Sequence, residues 1–157
     1  MNPRVLTGTL ATVIGICTPV VAYFEGVIPN TYSDPVGIPT ICYGHTGPDV
    51  TPGRVATMEE CTALLAGDLA KANASVHRCI GSEMLPHQEA ALTSFTYNVG
   101  EGNLCRSTLA RRANLGDWFG ACNELPKWKF AHGIELPGLV KRRTAERALC
   151  MGETSDG

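Results

Sequence analysis

The chain has 157 residues, of which 44% are hydrophobic and 18% are charged, and its formal net charge is −2. This length is typical of a single domain with a core of its own. Because the net charge is close to zero, the composition provides no overall attraction to nucleic acid or anionic lipid, and no nucleic-acid partner is expected.

The N-terminal segment, residues 5–24, carries no charged side chain, and Arg4 precedes it. About 20 apolar residues can cross a bilayer as a helix, but the threonines, glycines and proline here make this a weak span. Four interpretations stay open: a signal peptide cleaved after Ala22, a permanent anchor, a buried N-terminal helix, or a weak anchor that is later released. Cleavage would leave Glu25 without the helix that precedes it, so we favour the releasable anchor.

The following segment, residues 26–56, is rich in Gly, Pro and Thr and contains only short apolar runs. This composition indicates a small irregular or hairpin lobe. A helix is predicted to start at Thr57, whose spacing to Glu60 is that of a capping box, and to continue through Val76.

Further helices are predicted over residues 86–99, 107–115, 117–125 and 139–150, followed by a frayed tail at 151–157. Pro86 suits the first position of a helix, and Gly100 and Gly102 are expected to stop that helix. Gly116 and Pro126 are expected to end the next two. The chain is therefore predicted to be a mainly helical α+β protein, in which a helical lobe and a small β-containing lobe flank a cleft.

Glu25, Asp34 and Thr40 lie at the junction of these lobes and are the candidate catalytic residues. Glu25 follows an apolar helix, where desolvation favours the protonated carboxyl that can donate a proton. Asp34 lies in a polar turn and is expected to be ionised, and the Thr40 hydroxyl can hold a water molecule beside it. This combination fits hydrolysis of a glycosidic bond, although spacing alone is more often explained by solvated surface groups.

Seven cysteines predict disulfide bonds and therefore an oxidising compartment. They stand at positions 17, 42, 61, 79, 105, 122 and 150. Zinc is the competing interpretation, but Cys42 and His45 lack the second ligand pair that a zinc finger needs. Because the count is odd, one thiol is left over or is able to exchange.

Several collinear motifs resemble the phage T4-type lysozymes, glycoside hydrolase family 24. The segment EG…YSDPVGIPTICYGHTG has the family's spacing of a Glu, eight residues, an Asp, five residues and a Thr. The motifs LTSFTYNVGEGNLCRSTLARRANLGD, LPKWKFAHG and LPGLVKRRTAER follow in order, so the resemblance covers residues 22–150. Within the family, the chain is most similar to the lambdoid-phage endolysins that carry a signal-anchor-release segment.

The resemblance implies a lysozyme-like fold and inverting hydrolysis of the β-1,4 bond between N-acetylmuramic acid and N-acetylglucosamine in peptidoglycan. It implies that Glu25 is the general acid and that Asp34 and Thr40 position or activate water, without any metal or cofactor. Asn98 aligns with a cleft-lining position and is a candidate sugar contact. A hydrogen bond near the end of its helix is the alternative role for Asn98.

Other polar residues have structural explanations. By family alignment, His45 is expected to pair with Asp68 rather than to act as a base. Arg142 and Arg143 are candidates for a guanidinium near Glu25, but a solvated helix face is the simpler interpretation of these charges.

Cys17 and Cys42 are candidate regulatory residues, because Cys17 lies within the predicted anchor and Cys42 follows Thr40 closely. After release from the membrane, Cys17 could pair with or displace a cysteine near the active site. Some related endolysins are regulated through such a cysteine, but this chain lacks the cysteine that would directly follow the EG motif. Three fixed bridges among the other six cysteines, with Cys17 free, are the alternative.

The sequence thus predicts a signal-anchor-release segment at residues 1–24 and a lysozyme-like catalytic domain at residues 25–157. The expected protein is a monomeric phage endolysin that degrades peptidoglycan and lyses the host cell. It is expected to be inactive while tethered to the periplasmic side of the inner membrane and to enter the periplasm on release. A constitutively secreted lysozyme, a non-catalytic wall-binding module and a lytic transglycosylase are the alternatives.

Overall fold

The fold is described by a computed structural model over residues 9–153. Residues 1–8 of the predicted signal-anchor-release segment and residues 154–157 of the predicted tail lie outside this range. The helices α1 to α7 are Leu10–Glu25, Met58–Cys79, Pro86–Val99, Glu101–Arg106, Thr108–Asn114, Trp118–Cys122 and Pro137–Cys150. The strands β1 to β5 are Ile28–Ser33, Pro39–Cys42, His45–Thr46, Phe130–Ala131 and Ile134–Glu135, and a 3-10 helix spans Leu125–Lys127.

Helix α1 begins at a capped N-terminus and packs one face into the protein. The hydroxyl of Thr9 accepts a hydrogen bond from the backbone N–H of Thr12 at 3.2 Å. Val13, Cys17 and Val21 follow one another at four-residue spacing and are fully buried. They form a cluster with Leu65, Leu69 and Ala90 of α2 and α3. Among the helices of residues 9–153, none has both the length and the apolar character needed to cross a membrane.

The predicted lobe at residues 26–56 is confirmed as a three-stranded antiparallel sheet in the order β1-β2-β3. Thr40 lies directly opposite Tyr32 on β1 and Thr46 on β3. Residues opposite each other in an antiparallel pair share a face of the sheet, so these three side chains lie on one face. Cys42, the last residue of β2, and Gly44, in the turn to β3, have positive φ values of 62° and 82°.

The predicted starts of the two long helices are confirmed. Thr57 caps α2 by accepting a hydrogen bond from the N–H of Glu60 at 3.1 Å, and Pro86 is the first residue of α3. Gly100, with a φ of 90°, ends α3 as expected. Gly102 does not stop a helix as predicted, because a new helix, α4, begins directly after Gly100 and contains Gly102.

The C-terminal part differs most from the sequence prediction. Helix α6 ends at Cys122, and Pro126 lies inside the 3-10 helix instead of ending α6. A short β4–β5 hairpin, which was not predicted, follows and turns through His132 and Gly133. Both residues have positive φ values, 52° and 76°, as a tight hairpin turn requires. Helix α7 then begins at Pro137, two residues before its predicted start.

Three disulfides connect the elements: Cys42–Cys61, Cys79–Cys105 and Cys122–Cys150. They join β2 to α2, α2 to α4 and α6 to α7, so each links elements that are separated in the chain. The prediction of disulfides is confirmed, and Cys17 is the cysteine that stays free. The architecture also confirms the predicted class, a mainly helical body with a small β-lobe.

Candidate active site

A polar cavity of about 440 Å³ lies where the β-lobe meets the helical body. It is lined by Glu25 from α1, Gly44 from the β2–β3 turn, Thr46 from β3, Asp68 and Lys71 from α2, and Tyr97 and Asn98 from α3. Two of the predicted site residues, Glu25 and Asn98, therefore face the same cavity. The junction of the two lobes is also where the sequence analysis predicts a cleft.

Glu25 is the last residue of α1, and its side chain is held between the sheet and α7. Its Oε1 accepts a hydrogen bond from Nη1 of Arg142 at 2.7 Å. A Cβ atom on Gly44 would lie 3.7 Å from Oε2, so the β2–β3 turn approaches the carboxyl group closely. The side chain is 24% exposed and lines the cavity, with Arg142 on Oε1 and the cavity residue Gly44 on the side of Oε2.

Arg142 and Arg143 are buried residues, which overturns their interpretation as part of a solvated helix face. Arg142 is 3% exposed and Arg143 is 1% exposed, and the side chain of Glu146, which contacts both, is fully buried. Arg142 donates from Nε to Glu146 at 3.2 Å, and Arg143 donates from Nη1 to Glu146 at 2.6 Å. The four-residue and three-residue spacings to Glu146 place all three on one side of α7. That spacing was the available sequence signal for this network.

Asn98 is connected to the same network through its side-chain oxygen. Nη2 of Arg143 donates a hydrogen bond to Oδ1 of Asn98, and Nε of Arg143 donates to the carbonyl oxygen of Trp128 at 3.0 Å. The guanidinium of Arg143 also lies 5.0 Å from the centre of the Phe95 ring. Arg143 thus fixes the position of Asn98 at the cavity wall, and the amide nitrogen of Asn98 is not used in this contact.

Tyr97 supports the cavity wall beside Asn98. Its hydroxyl donates a hydrogen bond to the carbonyl oxygen of Tyr43 at 2.6 Å, which connects α3 to the β2–β3 turn. Burial, together with the nearby charge of Glu25, raises the pKa of Tyr97. The hydroxyl is therefore a neutral donor throughout the physiological pH range.

Asp34 lies in the turn between β1 and β2. Its Oδ1 accepts hydrogen bonds from the backbone N–H groups of Val36 at 2.9 Å and Ile38 at 2.8 Å. Thr40 is 4% exposed, and its hydroxyl donates to the carbonyl oxygen of Ile38 at 2.9 Å. Neither Asp34 nor Thr40 lines the polar cavity in the described part of the chain. Thr40 nevertheless lies beside Thr46, the cavity residue that is opposite it in the sheet.

A second cavity, of about 450 Å³, lies on the α7 side of Glu25. Its lining is formed by Phe24, Glu25, Asn98, Leu136, Pro137, Gly138, Leu139 and Arg142. Glu25 and Asn98 belong to both cavities, so the carboxyl group lies where a polar cavity and a more apolar one meet. A chain-like molecule that occupied both cavities would pass directly over Glu25.

His45 forms the predicted pair with Asp68, which is confirmed. Its Nδ1 lies 2.7 Å from Oδ2 of Asp68, and its Nε2 lies 3.0 Å from Oδ2 of Asp49. Burial opposes a charge on the imidazole, but the hydrogen bonds to Asp68 and Asp49 outweigh this effect and raise the pKa of His45. His45 thus connects the β-lobe to α2 beside the cavity.

We expect this pair to make the stability of the protein depend on pH. The pKa of His45 is higher in the folded state than in the unfolded state. Protonated His45 therefore adds its full contribution to the free energy of unfolding below the unfolded-state pKa, and this contribution is lost as the pH rises through the folded-state pKa. His45→Asn should therefore destabilise the protein by about 2 kcal/mol near pH 5.5, and by clearly less at about pH 8.5.

Thermal unfolding of the parent and His45→Asn across this pH range measures the effect. His132→Asn is a matched control, because His132 is exposed and asparagine tolerates its φ of 52°. A stability difference between the parent and His45→Asn that is independent of pH would contradict the expected role of the charged imidazole.

Comparisons with known proteins agree with this geometry. The sequence model of the phage lysozyme family matches residues 22–146. The chain is 45% identical over 127 residues to the SAR-endolysin of Bacteriophage PS119, which covers 81% of this chain and 76% of that protein. Its structure is similar to the active form of the P1 phage endolysin Lyz, with a TM-score of 0.78, 26% identity and coverage of 96% and 98% of the two chains. A P22 lysozyme mutant gives a TM-score of 0.78, 30% identity and coverage of 91% and 97%.

These similarities cover most of the chain in both sequence and structure. The family match includes every residue that lines the two cavities around Glu25. The chain therefore belongs to the phage lysozyme family and is a lysozyme-type hydrolase, an endolysin.

Proposed function

We propose that this endolysin hydrolyses the β-1,4 bond between N-acetylmuramic acid and N-acetylglucosamine in peptidoglycan, with Glu25 as the general acid. The observation that carries the proposal is the position of Glu25 where two cavities meet. A glycan strand cut within its length must be bound on both sides of the scissile bond. A carboxyl group between two binding cavities has the position that such a cut requires.

The two oxygens of Glu25 have different surroundings, which supports its role as a proton donor. Arg142 occupies Oε1, whereas Oε2 lies on the side of Gly44 and the polar cavity. A proton carried on Oε2 can pass to the glycosidic oxygen as the bond to the sugar C1 breaks. Glu25 is then left ionised, and Arg142 stabilises the negative charge that the reaction creates.

Asp34 and Thr40 have the free hydrogen-bonding capacity to hold the attacking water. Two backbone amides use Oδ1 of Asp34, so Oδ2 remains as an acceptor, and the Thr40 oxygen keeps acceptor capacity while its proton bonds to Ile38. A water that donates one hydrogen bond to each group directs its lone pair toward C1. Asp34 takes the proton as the new C1–O bond forms, and attack opposite the leaving oxygen inverts the anomeric centre.

Analysis of the products from purified peptidoglycan tests this function. We expect new reducing ends on N-acetylmuramic acid, formed first as the α-anomer, since the bond that is cut is β. Proton NMR during the reaction identifies the anomer, and mass spectrometry identifies the terminal sugar. A 1,6-anhydro product would identify a lytic transglycosylase, a β-anomer would exclude inversion, and the absence of cleavage would favour a wall-binding module.

The release of an N-terminal anchor is part of the same proposal. Residues 10–24 of the predicted anchor are the residues that α1 uses to bury Val13, Cys17 and Val21. The segment cannot lie in a bilayer and in this packed position at once, and Glu25 is correctly placed only in the packed one. We therefore propose that the protein is tethered to the inner membrane and inactive, and that release into the periplasm assembles the site. The relative in Bacteriophage PS119 is named a SAR-endolysin.

Cysteine alkylation distinguishes the two states and tests the exchange between Cys17 and Cys42. In the described structure Cys42 is bonded to Cys61, and the Cys17 thiol, fully buried, donates to the carbonyl oxygen of Ile14 at 3.6 Å. We expect Cys17 of the released enzyme to resist a water-soluble maleimide until the protein is denatured, because the thiol is not accessible. Disulfide mapping of the membrane-bound and soluble fractions completes the test. An exchange requires Cys42 or Cys61 to have a different partner in one fraction, and identical bridges in both would contradict it.

A further inference from the structure

Glu146 is a buried carboxylate outside the predicted catalytic set. Its side chain is fully buried, and it accepts three hydrogen bonds. Oε1 accepts from Arg143 at 2.6 Å, while Oε2 accepts from Arg142 at 3.2 Å and from the Ser94 hydroxyl at 2.6 Å. Burying a carboxylate is costly unless its oxygens are fully paired. A carboxylate that is buried and paired in this way fixes the positions of the side chains that donate to it.

The two arginines that are bonded to Glu146 each donate a hydrogen bond to a different residue that lines the cavities. Arg142 donates to Glu25, and Arg143 donates to Asn98. Glu146 therefore connects α7 to the last residue of α1 and to the end of α3 through one hydrogen bond beyond each arginine. Arg142 is further fixed by donating from Nη2 to the carbonyl oxygen of Ser94 at 3.2 Å.

We propose that Glu146 is a positioning residue for the reaction, which sets the orientation and protonation of Glu25 through Arg142 and the orientation of Asn98 through Arg143. The inference rests on the proposed role of Glu25 as the general acid. The Glu, Asp and Thr motif of the family does not include this residue. The proposal adds that activity also depends on the charge of Glu146 relative to the charges of Arg142 and Arg143 on α7.

The balance of charge gives the direction of the effect. Two guanidinium groups, Arg142 and Arg143, face two carboxylates, Glu25 and Glu146. When the charge of Glu146 is removed, no carboxylate of α7 offsets the two guanidinium groups, so the local field becomes more positive and the ionised form of Glu25 is favoured. Fewer molecules then carry the proton that the general acid must donate at alkaline pH. Removing the charge of Arg143 instead has the opposite effect.

The other charged and titratable groups around Glu25 and Glu146 are unchanged by these substitutions. Asp68 and Lys71 of α2 line the polar cavity with Glu25, and Tyr97 of α3 lies beside it. Ser94 of α3 contributes a hydroxyl to Glu146. Burial lowers the pKa of Arg143, while the charge of Glu146 and its hydrogen bond to Arg143 oppose this effect.

The pH dependence of peptidoglycan clearing tests the proposal. For Glu146→Gln, which has nearly the same shape, we expect the alkaline limb of the activity profile to move to lower pH by about one unit, with about a tenfold loss of rate on that limb. For Arg143→Gln, the limb should move to higher pH, and KM should rise because Asn98 is no longer held. The double variant Glu146→Gln/Arg143→Gln restores the balance of charge, so its limb should return toward that of the parent.

The controls separate this proposal from the proposed function. The parent and Glu25→Gln in the same assay establish whether Glu25 is the acid, independently of Glu146. Glu135→Gln, at an exposed position in β5, controls for loss of a carboxylate elsewhere. A limb that stays in place in both single variants, with rates that fall equally at every pH, would make Glu146 purely structural and overturn the proposal. Failure of both variants to fold would have the same meaning.

Discussion

Replacing Glu25 with glutamine is expected to lower the rate of peptidoglycan hydrolysis by about 10³-fold or more. Glutamine has the size of glutamate and can still accept a hydrogen bond from Arg142, but its amide N–H is not acidic enough to transfer a proton to the leaving oxygen. The loss should therefore appear in kcat, while the binding of glycan in the two cavities changes little. Turbidity clearing of outer-membrane-permeabilised Gram-negative cells, together with kinetics on soluble glycan fragments, measures the effect.

The control for this variant is Glu135→Gln, because Glu135 is exposed and neither it nor Lys129, its ion-pair partner at 3.5 Å, lines either of the two cavities in the described structure. Its clearing rate should equal that of the parent. Glu25→Gln must also unfold cooperatively on heating, which shows that the variant is folded and that a lower rate is not caused by unfolding. If Glu25→Gln clears cells within tenfold of the parent rate, Glu25 is not the general acid.

The second large effect is expected from Val21→Asp on the buried face of α1. Val21 is fully buried in the cluster with Leu65, Leu69 and Ala90. An aspartate at this position places a carboxylate without a partner in an apolar environment, which costs about 4 kcal/mol or more. A domain stability of about 5–15 kcal/mol makes this a large fraction of the total. The melting temperature should fall by roughly 10 °C or more.

The effect on activity should be at least as large, because Glu25 follows Val21 by one helical turn. If α1 leaves its packed position, the carboxyl group loses its place between the cavities although no catalytic residue has changed. Ala11→Asp is the matched control, since Ala11 is exposed in the first turn of α1, where a negative charge is favourable. Equal melting temperatures for Val21→Asp and the parent would show that the packing of α1 does not contribute to the stability of the domain.

Local features of the fold were predictable because they depend on neighbouring residues. Thr57 caps α2 through its own hydroxyl, and Pro86 begins α3 because its φ and missing N–H suit that position. Gly102 and Pro126 show the limit of such rules. Each is tolerated inside a short helix here, since the surrounding packing outweighs its local preference.

The β4–β5 hairpin was missed for a related reason. Each of its strands has only two residues, which is too short for an alternating pattern, and the exposed Phe130 and Ile134 give no core-facing periodicity. The positive φ of His132 could not be predicted, because histidine does not indicate a left-handed backbone as glycine does. The hairpin matters to the site, because the chain that leaves it forms the Leu136–Leu139 wall of the second cavity.

The sequence alone determined the family spacing of Glu25, Asp34 and Thr40, the disulfide chemistry and the starts of the long helices, because each depends on residues close together in the chain or on composition. Only the tertiary structure decided that Arg142 is buried against a glutamate 117 positions away and that Glu146 holds both arginines. A run of charges on a helix looks solvated until the opposing surface is known. Burial and partners at long separation depend on how all the elements pack, and no local pattern contains that information.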